Sequence, residues 1–251
     1  RQQVRYAEIT IDPTLYGALA LQPDEFLTVI NDGRDRAERA WKIKLAWIIA
    51  IPREEPRRAE DMVRWATSPT SRKAGVVGIG LVGRENIMPI GQFERPFRTA
   101  EKREVARAVR AGEEYGAEGI LKAIESLAPS RLVDARGLAE SEDAIAKVRE
   151  SGAAVCVSLA RAVKQGWAAD TASYPLRKLY DAGLPVVLSS DMPALYGTSL
   201  EQEYLAAVEN ELLSVAELEE VALNAVRASS LEAEEKAAMI ADFETAYANL
   251  R

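Results

Sequence analysis

VARAVRAGEEYGAEGI, residues 105–120, passes from an apolar strand to a polar mouth and then into a helix. Val105, Ala106, Ala108 and Val109 have the composition of a short buried strand, Gly112 permits a tight turn, and Gly116-Ala117-Glu118 opens an amphipathic run from Ile120 to Leu127. Arg110 and Glu113 then stand at the carboxyl end of a strand, where α/β proteins with parallel strands bind ligands. On these residues alone, an ion pair that merely closes the strand is an equally good reading.

On either side, strand-like and helical runs alternate with no Pro/Gly/Ser-rich linker between them. Residues 4–11, 45–51 and 76–81 read as strands before the opening stretch, and 131–134, 153–159 and 184–190 as strands after it. Helices are expected over 24–41, with Phe26, Val29, Ile30 and Ala37 inward, and over 56–66, 141–149 and 175–182. Residues 82–96 read as a long irregular loop, and the chain is helical beyond 190, with a capping box at Ser214 and Glu217. Such alternation implies parallel strands joined by crossover helices. The fold class is α/β, a TIM-type (β/α)8 barrel forming a single domain over 1–251, with seven strands visible and the first missing or supplied from elsewhere. Bare strand edges are avoided, so the eighth strand is expected upstream of Arg1 or from another chain; otherwise the sheet is open.

The 251 residues are 48% hydrophobic, enough for a sizeable core, and carry a net charge of −7 with a pI near 5.0. Lys and Arg are interspersed with Asp and Glu, which argues against a nucleic-acid surface. The single cysteine, Cys156, lies in the apolar run 153–159, reads as core, and excludes an intramolecular disulfide. A reducing, cytoplasmic location fits. No apolar run approaches the ~20 residues of a spanning helix, and the start Arg1-Gln2-Gln3 does not resemble a signal peptide, so no membrane role is expected. Trp41, Trp47, Trp65 and Trp167 are widely spaced and read as core or rim. The most informative count is that of histidine, which is zero. The chain lacks the commonest general base and the commonest zinc ligand.

Five segments in order, RYAEITIDPTLY, GIGLVGRE, VRAGEEYGAEGI, RLVDARG and LSSDMPALYGTSLEQEY, resemble the adenosine deaminase family from its second strand onward. The resemblance implies a zinc-dependent purine nucleoside deaminase of the amidohydrolase type, in which two histidines of the first strand, one after the fifth and an aspartate after the eighth hold the metal. By the same resemblance Arg110 stands at the third histidine position, Asp134 at that of a water-orienting histidine, and Asp191 keeps the metal-binding aspartate. Glu113 keeps the proton donor to the purine ring, and Gly83 the backbone that lies against the purine. Met192 replaces a second aspartate, and Tyr174-Pro175 stands where His-Pro is usual. The candidate catalytic residues are therefore Glu113, Asp134 and Asp191, and the candidate ligand-binding residues Gly83, Arg110, Ser190 and Met192. A lone carboxylate does not hold catalytic zinc and an arginine at a ligand position repels it. The family's zinc is thus not expected to bind, and no other cofactor is implied. Arg110 is expected to lie between Asp134 and Asp191 in place of the ion.

The leading expectation is an adenosine-deaminase-like protein with a dismantled zinc site, a pseudoenzyme that takes a purine nucleoside or a similar small polar ligand. Alternatives are a metal-independent enzyme using Glu113 and Asp191 as an acid/base pair, a pseudo-subunit of a hetero-oligomer, and deaminase activity retained through residues outside this sequence. A homo-oligomer, or a second chain supplying the first strand, is compatible with all of them.

Overall fold

The computed structural model describes residues 3–19 and 22–250; Arg1 and Gln2, read above as unlike a signal peptide, lie outside them. By its contacts the chain divides into two compact units, residues 1–110 with 122–129 and residues 111–121 with 130–251.

In the first unit β1 (Tyr6–Ile11), β2 (Lys44–Pro52), β3 (Val76–Val82) and β4 (Ala106–Arg110) are parallel and adjacent in chain order. Their connections carry α1 (Pro23–Trp41), α2 (Ala59–Ala66), α3 (Pro69–Lys73) and α4 (Glu94–Lys102). Strand β2 is buried from Ala46 to Pro52, as expected of a parallel strand covered on both faces. Helix α1 begins with Pro23 at its first turn, and the Gln22 N–H donates to Glu25. Its inward face is Phe26 and Leu27, whereas Val29, expected inside, is 59% exposed. The stretch 82–96, expected to be irregular, holds two short 3-10 turns and the start of α4. Phe93 and Phe97, four residues apart and fully buried, anchor it.

The second unit begins with the turn 111–115 and the start of α5 (Gly116–Leu127). It continues through β5 (Arg131–Val133), α6 (Glu142–Ser151), β6 (Ala154–Val157), α7 (Leu159–Lys164), α8 (Leu176–Asp181) and β7 (Val186–Leu188). Helices α9 (Pro193–Tyr196), α10 (Leu200–Glu209), α11 (Val215–Ala228) and α12 (Ala233–Ala248) complete it. Strands β5, β6 and β7 are parallel, with Leu132 opposite Val155 and Val155 opposite Val186. The sixth strand is shorter than its apolar run suggests, because Ser158 leaves it to cap α7, accepting the Arg161 N–H. Cys156, expected in the core, is only partly buried. Among the described residues no helix is long and apolar enough to cross a membrane.

The capping box at Ser214 and Glu217 forms as expected, and Arg177 of α8 joins it with two hydrogen bonds of 2.8 and 2.7 Å to the Glu217 carboxylate. Those bonds, then the donors of Ser214, hold the Glu217 carboxyl down at about 2. A carboxyl held below its unfolded value contributes stability that is complete above about 4.5 and is lost as pH falls towards about 2. Because the pair lies at the surface, water limits that contribution to ~0.5–1 kcal/mol. Glu217→Gln is expected to lower the urea midpoint slightly at neutral pH and to lose its deficit on acidification through this window. A deficit that persists undiminished at low pH would contradict the assignment.

Candidate functional site

The candidate site lies in the second unit, where three acidic side chains at the ends of different elements meet one guanidinium. Arg161, on the first turn of α7 and 7% exposed, places Nη2 at 2.9 Å from Glu113 Oε1 and Nη1 at 2.8 Å from Asp191 Oδ2. Its Nε lies 3.1 Å from Asp134 Oδ2, an ion-pair distance at which the N–H is not aligned as a hydrogen bond. Nη1 also donates to the Tyr196 hydroxyl at 3.2 Å. The Trp167 and Tyr196 rings face the guanidinium, with centroids 4.9 and 5.7 Å from Cζ.

The backbone aims the carboxylates. Asp134 follows β5 with φ of 56°, and Asp191 follows β7 with φ of 48°. Both are in the left-handed region, which aspartate tolerates better than most residues but which still costs energy. The Asp134 N–H donates to the Cys156 carbonyl at 3.0 Å, and that of Asp191 to Ser189 Oγ at 3.1 Å. The Glu113 carbonyl accepts from Arg136 Nη2 at 2.5 Å. Tyr174, 4% exposed, has its phenol pushed up by burial and by the charge of Asp134.

Arg161 thus brings a guanidinium to both Asp134 and Asp191, and the sequence reading had not named it. Arg110 ends β4 in the first unit, where its carbonyl accepts from Arg53 Nη2 at 2.8 Å. Gly83 is also in the first unit, at the end of β3 with φ of 89°, and its carbonyl accepts from Arg53 Nη1 at 3.1 Å. In the second unit, Ser190 is partly buried beside Asp191, and Met192, 44% exposed, precedes α9. Arg161, Trp167 and Tyr196 were not found from sequence as site residues; Trp167 had been read as core or rim. A signal for α7 existed: Ser158 as cap, followed by Leu159, Ala162 and Val163 at helical spacing.

The positive charge of the Arg161 guanidinium sits against all three carboxylates. Among the described residues no group of three or more His, Cys, Asp or Glu side chains has the placement to hold an ion. A guanidinium can bridge carboxylates as a metal does, but it cannot bring the pKa of a bound water near 7.

Residues 1–246 match the adenosine deaminase family. The chain belongs to that family. It is 32% identical over 246 residues to an aminodeoxyfutalosine deaminase of Streptomyces avermitilis, covering 98% of this chain and 69% of the relative. A second aminodeoxyfutalosine deaminase, of Streptomyces coelicolor, is 30% identical, with 98% of this chain and 64% of the relative covered. The chain thus spans about two thirds of the length of these relatives. Among solved structures, an adenine deaminase from Arthrobacter aurescens has a TM-score of 0.89 at 24% identity, covering 99% of this chain and 75% of that one. An amidohydrolase from Burkholderia ambifaria with bound zinc has a TM-score of 0.88 at 23% identity, covering 98% and 69%. These likenesses establish the TIM-type α/β fold expected from the sequence, to which the described residues contribute seven strands.

Proposed function

We propose that this adenosine-deaminase-like chain binds a purine nucleoside or a similar small polar ligand and does not deaminate it by zinc-dependent hydrolysis. The observation that carries this reading is Arg161, whose guanidinium contacts Glu113, Asp134 and Asp191 together. Hydrolytic deamination needs a strong nucleophile made from water, and a guanidinium does not supply one.

The alternative acid/base use of Glu113 and Asp191 requires one carboxyl to hold a proton while the other is ionised. Both face the same cation at 2.9 and 2.8 Å, so their surroundings give no reason to assign them opposite roles. The small-ligand part of the reading draws on the family: one solved structural neighbour is a complex with IMP.

The test is thermal shift and calorimetry with adenosine and inosine, with adenosine conversion followed on the same samples. A saturable rise in melting temperature without conversion is expected. Conversion of adenosine, or no response to either nucleoside, would overturn the corresponding half of the proposal.

A further inference from the structure

Glu203, on α10, is 1% exposed, yet its hydrogen-bond partners are all neutral. Oε2 accepts the Leu159 N–H at 2.6 Å, and Oε1 accepts the Ala160 N–H at 3.3 Å, the Ser158 hydroxyl at 3.3 Å and the Thr198 hydroxyl at 3.0 Å. Burying a carboxylate without a cation is costly unless its donors are well placed. Here burial pushes the carboxyl up and the four donors pull it back only in part.

What those donors belong to gives the carboxylate a purpose. Helix α7 is six residues long, so few of its backbone groups pair within it. Glu203 takes the N–H groups of Leu159 and Ala160, and Ser158 takes that of Arg161. The origin of the Arg161 side chain is thereby tied to α10. Through Thr198 the same carboxylate holds the segment just after α9, which carries Tyr196, the hydroxyl acceptor of Arg161 Nη1. The guanidinium contacts lie between 2.8 and 3.2 Å, so a displacement of α7 by about 1 Å carries them out of hydrogen-bond range.

We propose that Glu203 is the positioning residue that sets the Arg161 guanidinium among Glu113, Asp134 and Asp191, acting through α7 and through Thr198. It rests on the reading of Arg161 as the fixed cation of the site. Glu203 touches none of the three carboxylates in this role; it determines where their partner stands.

The experiment follows the Arg161 Nε–H by nuclear magnetic resonance in the 15N-labelled full chain, assigned through its own backbone amide, with urea melts recorded alongside. In the unsubstituted protein this N–H is expected to exchange slowly with solvent. In Glu203→Gln it is expected to shift and to exchange about tenfold faster, with the Arg177 resonance unmoved. Thr198→Val, which removes one of the four donors, moves the signal in the same direction by less and decides the matter if Glu203→Gln does not fold. A folded Glu203→Gln, or failing that Thr198→Val, with the Arg161 signal unchanged overturns the role of Glu203 alone. Fast exchange in the unsubstituted protein overturns the fixed-cation reading itself, and this role with it.

Discussion

Arg161→Met is expected to cost the protein about 3–5 kcal/mol at neutral pH, because it removes from a buried ion cluster the cation that contacts all three carboxylates. Three carboxylates, with side chains 9%, 5% and 17% exposed, then face one another without their shared cation. Arg161→Lys is expected to fall between, since one ammonium cannot reproduce the planar fork that reaches all three. A second substitution sharpens the test. Glu113→Gln destabilises the native protein by removing a paired charge and stabilises the Arg161→Met background by removing a repulsive one. Urea denaturation of the four proteins measures the coupling, and equal effects of Glu113→Gln in both backgrounds would show that the two groups do not interact.

Gly137→Ala is expected to destabilise by about 1–3 kcal/mol or more, through overpacking against backbone rather than loss of any contact. A Cβ at residue 137 would lie 2.4 Å from the Gly116 carbonyl carbon and 2.5 Å from its Cα, and neither can rotate away. Gly137 comes three residues after Asp134, and Gly116 three after Glu113. This glycine contact therefore holds together the two turns that carry those carboxylates, and the variant is expected to loosen the Arg136 bond to the Glu113 carbonyl as well. Gly91→Ala, where a Cβ meets nothing within 4 Å, is the control and should change stability by less than about 0.5 kcal/mol. Equal urea midpoints for the two variants would contradict this account of the Gly137–Gly116 contact.

The strands were legible because parallel strands covered on both faces are written as continuous apolar runs, as in LAWIIAI at 45–51, and the helices because caps such as Ser141 and Ser214 precede periodic stretches. The family was legible from five ordered segments. Glu113, Asp134 and Asp191 were picked out from strand ends and from the resemblance, and the structure brings all three onto one guanidinium. Arg161 itself was not legible. Its carrier, α7, was hidden because Leu159 continues the apolar run 153–159 without a break in composition. Only Ser158 marks the change, and a serine inside such a run reads as strand until its cap bond to the Arg161 N–H is seen. Glu203 was equally silent, since an acidic residue in the first turn of a helix is ordinarily a surface residue.

The central claim is that the guanidinium of Arg161 takes the place a metal would have among Glu113, Asp134 and Asp191. Its most direct test is elemental analysis of the purified chain after equilibrium dialysis against zinc, with adenosine-to-inosine conversion assayed on the dialysed sample. The account predicts zinc far below one equivalent and no conversion. One equivalent of zinc with steady formation of inosine would contradict it.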